Sequence, residues 1–234
     1  MIEFVPPPIK GRTYTIKVPV RLSDSGPDGL LRLDGIARFL QDVATDDWDD
    51  TGIVSDDTWV VRRTALRRVH GRAWPVINDR VSLTTWCGGV GAAWAERRTD
   101  LHVDGTLLIE TASLWVPIDP SGHPVRIRES FSEVYGESLG GRKVSGRVTL
   151  STPPGDAALH PWPLRHSDLD VIGHVNNAAV WQAVSEVVRV PVQSVEVIHH
   201  GPVEGGNEVV LAESPGALWL LVNGDVRVGI RYVL

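Results

Sequence analysis

The chain has 234 residues, of which 42% are hydrophobic and 22% charged, a balance typical of a soluble globular protein with one large domain or two ordinary ones. The formal net charge of -6, without a long block of lysine and arginine, argues against nucleic acid as a partner. The single cysteine, Cys87, excludes an intrachain disulfide and a multi-cysteine zinc cage, and we predict a buried apolar thiol.

The first residues of the chain and its apolar stretches indicate where in the cell the protein is expected. Residues 1–8 lack the basic start and apolar core of a secretory signal. No uninterrupted apolar stretch is long enough to span a bilayer. We therefore expect a cytoplasmic protein with no membrane partner.

In chain order, the first half is predicted to contain one helix followed by four strands. Residues 33–48 carry apolar side chains at helical spacing. The next runs are rich in tryptophan, valine, threonine and isoleucine, which favours strands at 58–66, 81–86, 92–102 and 107–118. Hairpin turns are predicted at Gly88-Gly89 and Asp104-Gly105.

The middle of the chain is predicted to connect two domains. Residues 119–160 are interrupted by many prolines and glycines, although residues 126–135 could form a short helix. We place an N-terminal domain at 1–135, a linker at 136–160 and a C-terminal domain at 161–234.

The second half repeats the first. Arg165-His166-Ser167-Asp168 echoes Arg21-Leu22-Ser23-Asp24, and the helix predicted at 178–188 falls on the first helix when the two are aligned. Strands follow at 192–199, 208–213, 217–222 and 226–233, separated by the turns Ser214-Pro215-Gly216 and Asn223-Gly224. The same order of elements, a strand, a helix and an antiparallel meander, occurs twice in the chain. This repeat predicts an α+β double hotdog, in which each central helix is wrapped by a curved sheet.

The run from Asp168 to Asn177 concentrates residues that can carry chemistry. Asp170 and His174 can supply acid–base or orienting groups, or simply form a buried pair that fixes the turn. Asn176 or Asn177 can cap the following helix, whose free N–H groups could hold a carbonyl oxygen as it becomes negative. Gly173 relieves backbone crowding and would let a substrate approach.

With these residues in view, the sequence resembles the acyl-acyl-carrier-protein thioesterase family of plants and bacteria, whose members are tandem hotdogs. The resemblance is carried by Arg12-Thr13-Tyr14, the helix at 33–48, Ser113-Leu114-Trp115-Val116 and, most specifically, Asp168-Leu169-Asp170-x-x-Gly173-His174-Val175-Asn176-Asn177. It implies hydrolysis of a fatty acyl thioester, without cofactor or metal.

The resemblance also implies roles for residues of the second repeat. Asp170 would activate the water or attack as a nucleophile, and His174 would polarise the thioester or hold Asp170. Glu204 would be a supporting base or orienting carboxylate. Ile172 stands where the family commonly has asparagine, so the water is held differently or activity is reduced. Substrate contacts are expected along the turn, at Ile172, Gly173, Val175, Asn176 and Asn177, partly through backbone N–H groups.

The first repeat is expected to be non-catalytic, because Asp24-Ser25-Gly26-Pro27-Asp28 has no histidine. Its residues Trp48, Trp59 and Trp94 would line an acyl tunnel or fill the core. The partner would be acyl carrier protein or a coenzyme A thioester. Nine arginines could form a basic patch for an acidic carrier: Arg62, Arg63, Arg67, Arg68, Arg72, Arg97, Arg98, Arg126 and Arg128. The chain could act as a monomer or a homodimer.

Two other functions stay open from the sequence. The departure at Ile172 is consistent with a non-hydrolytic module that binds or senses acyl thioesters. An enoyl-thioester hydratase or dehydratase of the hotdog class could use Asp170 and His174 as its acid–base pair.

Overall fold

The computed structural model describes residues 2–149 and 151–234, and within these residues it contains three α-helices and ten β-strands. The helices are α1 (Leu33–Thr51), α2 (Glu129–Leu139) and α3 (Asn177–Val187). The strands are β1 (Tyr14–Pro19), β2 (Thr58–Arg68), β3 (Arg80–Val90), β4 (Ala95–Val103), β5 (Thr106–Ile118), β6 (Ala158–Pro161), β7 (Ser194–His199), β8 (Val209–Ser214), β9 (Ala217–Val222) and β10 (Asp225–Val233).

The strands form one antiparallel sheet in the order β1-β3-β4-β5-β2-β7-β10-β9-β8-β6. Its centre is the pairing of β2 with β7, where residues 63–67 lie opposite residues 194–198. Read outward from that pair, the two halves have the same strand order, and each half carries its own helix. The predicted α+β double hotdog is therefore confirmed.

The main core lies between the sheet and the two central helices, α1 and α3, which pack against each other. Both helices bury the apolar stripe predicted from their spacing, and the most buried members are Ile36 and Val43 on α1 and Val184 on α3. Burial of one stripe per helix explains why two helices of the same design occupy matching places.

The short helix predicted at 126–135 is found at Glu129–Leu139 and belongs to a second, smaller core. Phe131 and Tyr135 are buried together with Cys87 and Ala95 of the first half of the sheet. The last turn of α2 thus lies within the segment predicted as linker. The helix continues into this segment, and its apolar face packs on β3.

Two details of the predicted strands are wrong. Gly88-Gly89 forms no hairpin: β3 continues through it as a bulge, with a register shift between Cys87 and Gly89. A Cβ at Gly88 would lie 2.6 Å from Cγ of Arg98, so close packing explains that glycine. Residues 158–160, predicted as linker, belong to β6, an edge strand that pairs with β8. All four residues of β6 are exposed, so the strand lacks the alternation of buried apolar and exposed polar residues that would have revealed it.

The sequence repeat extends to the turns that precede α1 and α3. In the first, the N–H of Arg21 donates to Oδ2 of Asp24 at 2.9 Å, and in the second, the N–H of Arg165 donates to Oδ2 of Asp168 at 2.8 Å. Both aspartates are buried. The repeated Arg-x-Ser-Asp motif therefore anchors the same turn twice, and the residues that follow it decide what each turn can do.

Candidate active site

The second-repeat turn, residues 168–177, holds the Asp170 carboxylate in place through the main chain. Oδ1 of Asp170 accepts hydrogen bonds from the N–H of Ile172 at 3.0 Å and of His174 at 3.1 Å. The N–H of Asp170 in turn donates to the carbonyl of His174 at 2.8 Å. Gly173 has a φ of 80°, the left-handed conformation that glycine adopts without strain. The carboxylate is thus oriented by backbone donors, both on one oxygen.

The turn is braced by residues 203–205. The N–H of Val175 donates to the carbonyl of Val203 at 2.8 Å, and the two segments are joined by a bridge that places His174 opposite Glu204. Residues directly opposite in such a bridge have neighbouring side chains. His174 is half-buried and Glu204 is exposed. The fold therefore brings Glu204, 30 residues further along the chain, beside the turn that contains Asp170 and His174.

The start of α3 completes this part of the site. Asn176 is the capping residue, because its Oδ1 accepts from the N–H of Ala178 at 2.8 Å. Asn177 is already the first helical residue, so it is not the cap.

A cavity of about 590 Å³ opens beside the turn. The turn contributes Asp170, Val171, Asn176 and Asn177 to its lining, and the rest comes from the first repeat, on α1, α2, strands β2 to β5 and Asp57 just before β2. This size and this mixture of aromatic and polar walls are typical of small-molecule sites. The second repeat therefore supplies the turn residues at one side of the cavity, and the first repeat supplies the rest of its wall.

The other predicted site residues lie outside the lining of this cavity. Ile172 is 63% exposed, and Gly173 is exposed too. His174, Val175 and Glu204 surround the turn without lining the cavity. Their roles in binding or catalysis stay predictions.

Of the tryptophans predicted for an acyl tunnel, Trp48 and Trp59 line the cavity. Trp94 does not line it, since its Nε1 donates to the carbonyl of Val144 at 2.9 Å and its ring packs on Gly91 and Gly146.

A row of aromatic rings forms one wall of the cavity. Trp48 and Trp59 meet edge to face at 5.9 Å between ring centroids, Trp59 and Phe131 lie 5.5 Å apart, and Phe131 and Tyr135 lie 4.6 Å apart. Phe131, Tyr135 and Trp115 were not predicted as site residues. Nothing in their local pattern distinguishes them from core aromatics, because α2 reaches the cavity only after the chain has folded.

The aromatic row ends at an ion cluster. Oδ2 of Asp47 accepts from Tyr135 Oη at 2.8 Å and from Arg97 Nη1 at 2.6 Å, while its Oδ1 accepts from Arg12 Nε at 2.7 Å. Burial raises the pKa of Tyr135 to about 12, so its phenol is protonated and donates. Burial would lower the pKa of Arg97, but Asp47 outweighs it and the pKa is raised. Arg97, which lines the cavity, is therefore charged.

Cys87 also lines the cavity, and its prediction as a buried apolar thiol is confirmed. Burial raises the pKa of Cys87 to about 12, so it is a protonated thiol and a poor nucleophile. Among the described residues, no group of three or more histidine, cysteine, aspartate or glutamate side chains is placed to hold a metal ion.

Five of the nine arginines expected to form a basic patch are paired with carboxylates of the protein itself: Arg63, Arg67, Arg97, Arg98 and Arg128. Arg98 is buried against Glu96, and Arg128 binds Asp57 at 2.6 Å. Arg97 belongs to the buried cluster described above. Among the described residues, Arg62, Arg68, Arg72 and Arg126 form no ion pair with a carboxylate, and the basic patch stays a prediction.

The matching turn of the first repeat forms a second groove with α3. Gly26 and Asp28 take the places of Asp170 and Ile172, and the bridge equivalent to that of His174 with Glu204 joins Leu30 to Val76. Both turns have the same backbone hydrogen bonds, since the N–H of Gly26 donates to the carbonyl of Leu30 at 2.9 Å. The first-repeat turn thus keeps the scaffold, with Gly26 in place of Asp170 and Leu30 in place of His174.

Comparison with known proteins agrees with this architecture. The family model for the acyl-ACP thioesterase N-terminal domain matches residues 11–135, more than half of the chain. An uncharacterized protein of Mycobacterium tuberculosis is 26% identical over 189 residues, which is 80% of this chain and 74% of that protein.

Solved structures share the fold over almost the whole chain. A crystal structure from Lactobacillus plantarum, described as an oleoyl thioesterase, superposes with a TM-score of 0.80 at 17% identity, covering 97% of this chain and 98% of that one. The 12:0-ACP thioesterase of Umbellularia californica gives 0.79 at 19% identity, with coverage of 96% and 98%. An acyl-ACP thioesterase of Bacteroides thetaiotaomicron gives 0.74 at 18% identity, with coverage of 94% and 97%.

The fold and the family match together define a thioester hydrolase built as a double hotdog. The chain belongs to the acyl-ACP thioesterase family. No helix in the described residues is long and apolar enough to cross a membrane.

Proposed function

We propose that the chain hydrolyses acyl thioesters carried by acyl carrier protein, with the acyl group in the cavity and the thioester at the second-repeat turn. Coenzyme A presents the same phosphopantetheine arm and is the second carrier to test. The observation that carries the proposal is the position of Asp170. Asp170, whose carboxylate is oriented by the turn, lines a cavity whose remaining wall includes five aromatic side chains. We also propose residues 1–135 as the acyl-binding repeat and residues 161–234 as the catalytic one.

Asp170 is the proposed base. It takes a proton from water as the water oxygen bonds to the thioester carbon, and the carbonyl electrons move to oxygen. Asn177, which lines the cavity at the start of α3, is the proposed donor to that oxyanion, through its side-chain amide and its main-chain N–H. When the carbon–sulfur bond breaks, the thiolate takes the proton from Asp170. The products are a free acid and the carrier thiol.

An attack by Asp170 itself is the other chemical route, because a carboxylate can form an anhydride with the acyl carbon and release the thiolate. Water would then hydrolyse the anhydride. The two routes differ in where the oxygen of water ends. A single turnover in heavy-oxygen water labels Asp170 only if the anhydride forms and water attacks its aspartyl carbon.

His174 and Glu204 are proposed as a supporting pair. The support for this proposal is the backbone bridge between the two residues, beside the turn that contains Asp170. In this position the imidazole can act on the leaving sulfur or on the turn, and the carboxylate can orient the imidazole. A single acid–base group of this kind contributes roughly two to four orders of magnitude in rate.

The isoleucine at position 172 leaves the main-chain support of Asp170 intact, because the contact is made by its N–H. The amide that the family commonly has here is replaced, in our proposal, by the amide of Asn177 on the cavity wall. Hydrolysis therefore remains the function that the site supports best.

The test is release of free thiol from a panel of acyl-acyl-carrier-protein and acyl-coenzyme A thioesters. We expect release with the wild type and its near abolition in Asp170→Asn. The matched control is Asp28→Asn in the first-repeat turn, where Oδ1 of Asp28 accepts from the N–H of Leu30 at 3.0 Å in a turn of the same kind. Equal loss in both variants, or tight binding of thioesters without release by the wild type, would refute the proposal.

A further inference from the structure

The groove between the first-repeat turn and α3 corresponds, residue by residue, to the part of the cavity at the second-repeat turn. When Arg165 is aligned on Arg21, as in the sequence repeat, each of the four turn residues that line the cavity has an equivalent in the first repeat. All four equivalents line the groove: Gly26, Pro27, Arg32 and Leu33. The groove is therefore the internal copy of the place where we propose that the thioester binds.

The helix that faces each turn shows the same correspondence. The residues of α1 that line the cavity are Gln41, Ala44, Thr45 and Trp48. Their equivalents on α3 and just after it all line the groove: Ser185, Val188, Arg189 and Val192. The groove has a volume of about 680 Å³, which is enough for a small molecule.

The groove lacks the groups proposed for hydrolysis. Gly26 stands in place of Asp170, so no carboxylate occupies the position of the base. Leu33 stands in place of Asn177, so no side-chain amide is available to an oxyanion. Asp28 is exposed and takes the place of Ile172, not of Asp170. A thioester bound in the groove would therefore stay intact.

The groove also lacks the wall proposed for the acyl group. Five aromatic side chains line the cavity, whereas Trp74 is the one aromatic residue among the described residues that line the groove. The α3 side of the groove is polar instead, with Gln182, Ser185 and Arg189. Amide, hydroxyl and guanidinium groups can hydrogen-bond to the amides of a ligand, but a hydrocarbon chain offers them no partner.

From this correspondence we propose that the groove is a second, non-hydrolytic site for the pantetheine arm of a thioester. The inference rests on the proposed function, because it assigns the thioester end of the cavity to its internal copy. Pantetheine is a chain of amide and hydroxyl groups, which matches the polar side of the groove. The acyl chain stays outside, since the groove has no counterpart of the aromatic row.

The test is calorimetric titration with S-alkyl pantetheine thioethers, which carry the arm but cannot be hydrolysed. We expect two ligands per chain. The affinity of the cavity should rise roughly fourfold for each added methylene, while that of the groove stays nearly constant. The same thioethers on coenzyme A and on acyl carrier protein show which source of the arm reaches the groove. A single bound pantetheine thioether per wild-type chain would overturn the inference.

Tryptophan at equivalent positions assigns the two ligands to their sites. Ser185→Trp fills the groove and should leave one ligand, whose affinity depends on the alkyl chain length. Gln41→Trp is the matched variant in the cavity and should leave one ligand, whose affinity does not depend on chain length. Two bound ligands in folded Ser185→Trp, or loss of the same ligand in both variants, would contradict the assignment.

Photolabelling of the wild type tests the site without a variant. A pantetheine thioether that carries a diazirine should label the tryptic peptide 22–32, which belongs to the groove, as well as the peptide 39–62, which belongs to the cavity. Label in 39–62 alone would refute the second site.

Thiol release from acyl thioesters, measured in parallel, separates this inference from the proposed function. If no thiol is released but both peptides are labelled, the proposed reaction fails and the second site stands. If thiol is released and the groove peptide stays unlabelled, the reaction stands and the second site fails.

Discussion

The N–H of His174 donates to Oδ1 of Asp170 at 3.1 Å, so the contact between the two residues predicted as an acid–base pair runs through the main chain. No hydrogen bond of the His174 imidazole to Asp170 is present in the part of the chain that the structure describes. The carboxylate is therefore oriented by the turn itself. Glu204 is the residue opposite His174 in the backbone bridge that braces the turn.

Asp170→Asn should lower kcat by about two to four orders of magnitude, because the amide cannot take the proton from water. Its Oδ1 can still accept the two backbone hydrogen bonds, so the turn should persist. The measurement is thiol release at saturating substrate, with the melting temperature as a check on folding. A variant that keeps more than a tenth of the wild-type kcat would remove Asp170 from the chemistry.

His174→Ala should lower kcat by roughly tenfold or more if the His174–Glu204 pair assists Asp170. Glu204→Gln should then have little further effect in the His174→Ala background, because residues that act together give non-additive effects. A double-mutant cycle on kcat measures this coupling. Additive losses would mean that the two side chains act independently.

Ile172→Asn, which introduces the residue that the resembling family commonly has, should change kcat/KM by less than about threefold. The Ile172 side chain is mostly exposed and does not line the cavity, while its N–H continues to support Asp170. Kinetics with one good substrate are sufficient. A tenfold gain would show that an amide at this position reaches the reacting water.

Asp47→Ala should lower the free energy of unfolding by about 3–5 kcal/mol, because it leaves Arg97 and Arg12 without their buried partner. Asp50→Ala is the matched control. Asp50 also binds Arg12, but it is 54% exposed whereas Asp47 is 1% exposed, and its loss should cost about 1 kcal/mol or less. Urea unfolding of the two variants measures both values, and similar costs would contradict the assigned role of Asp47.

Asp100→Asn should reduce the pH dependence of stability between about pH 4 and pH 7. Burial, with the nearby Glu110 carboxylate, raises the pKa of Asp100 to about 7, against about 3.9 in an unfolded chain. In this range the folded protein binds more protons than the unfolded chain, so the free energy of unfolding falls as the pH rises. Between pH 4 and pH 7 the free energy of unfolding should therefore fall less in the variant than in the wild type, by on the order of 2 kcal/mol.

The control for this prediction is Asp156→Asn, a change at an exposed aspartate. Urea midpoints at pH 5 and at pH 8 provide the comparison. Parallel pH dependence in wild type and Asp100→Asn would show that burial of Asp100 does not set this part of the profile.

The sequence determined the repeated architecture, because periodicity is a local property. Apolar residues at helical spacing placed α1 and α3, and the dipeptides Asp104-Gly105 and Asn223-Gly224 marked hairpins that the structure contains, with positive φ at all four residues. The motif from Asp168 to Asn177 likewise located the turn. Its capping residue, Asn176, was also accessible from the sequence, because the cap is a hydrogen bond to the N–H of Ala178, only two residues away.

Only the tertiary structure decided which side chains share the cavity. Asp170 comes from the second repeat, Trp115 and Arg97 from strands of the first, and Tyr135 from a helix in the segment predicted to connect them. None of these residues is within reach of another along the chain. The pairing of β2 with β7 and the packing of α1 on α3 bring them together. Hydrophobic burial drives both contacts. Because it does not depend on how far apart two residues are in the sequence, it does not reveal which residues will meet.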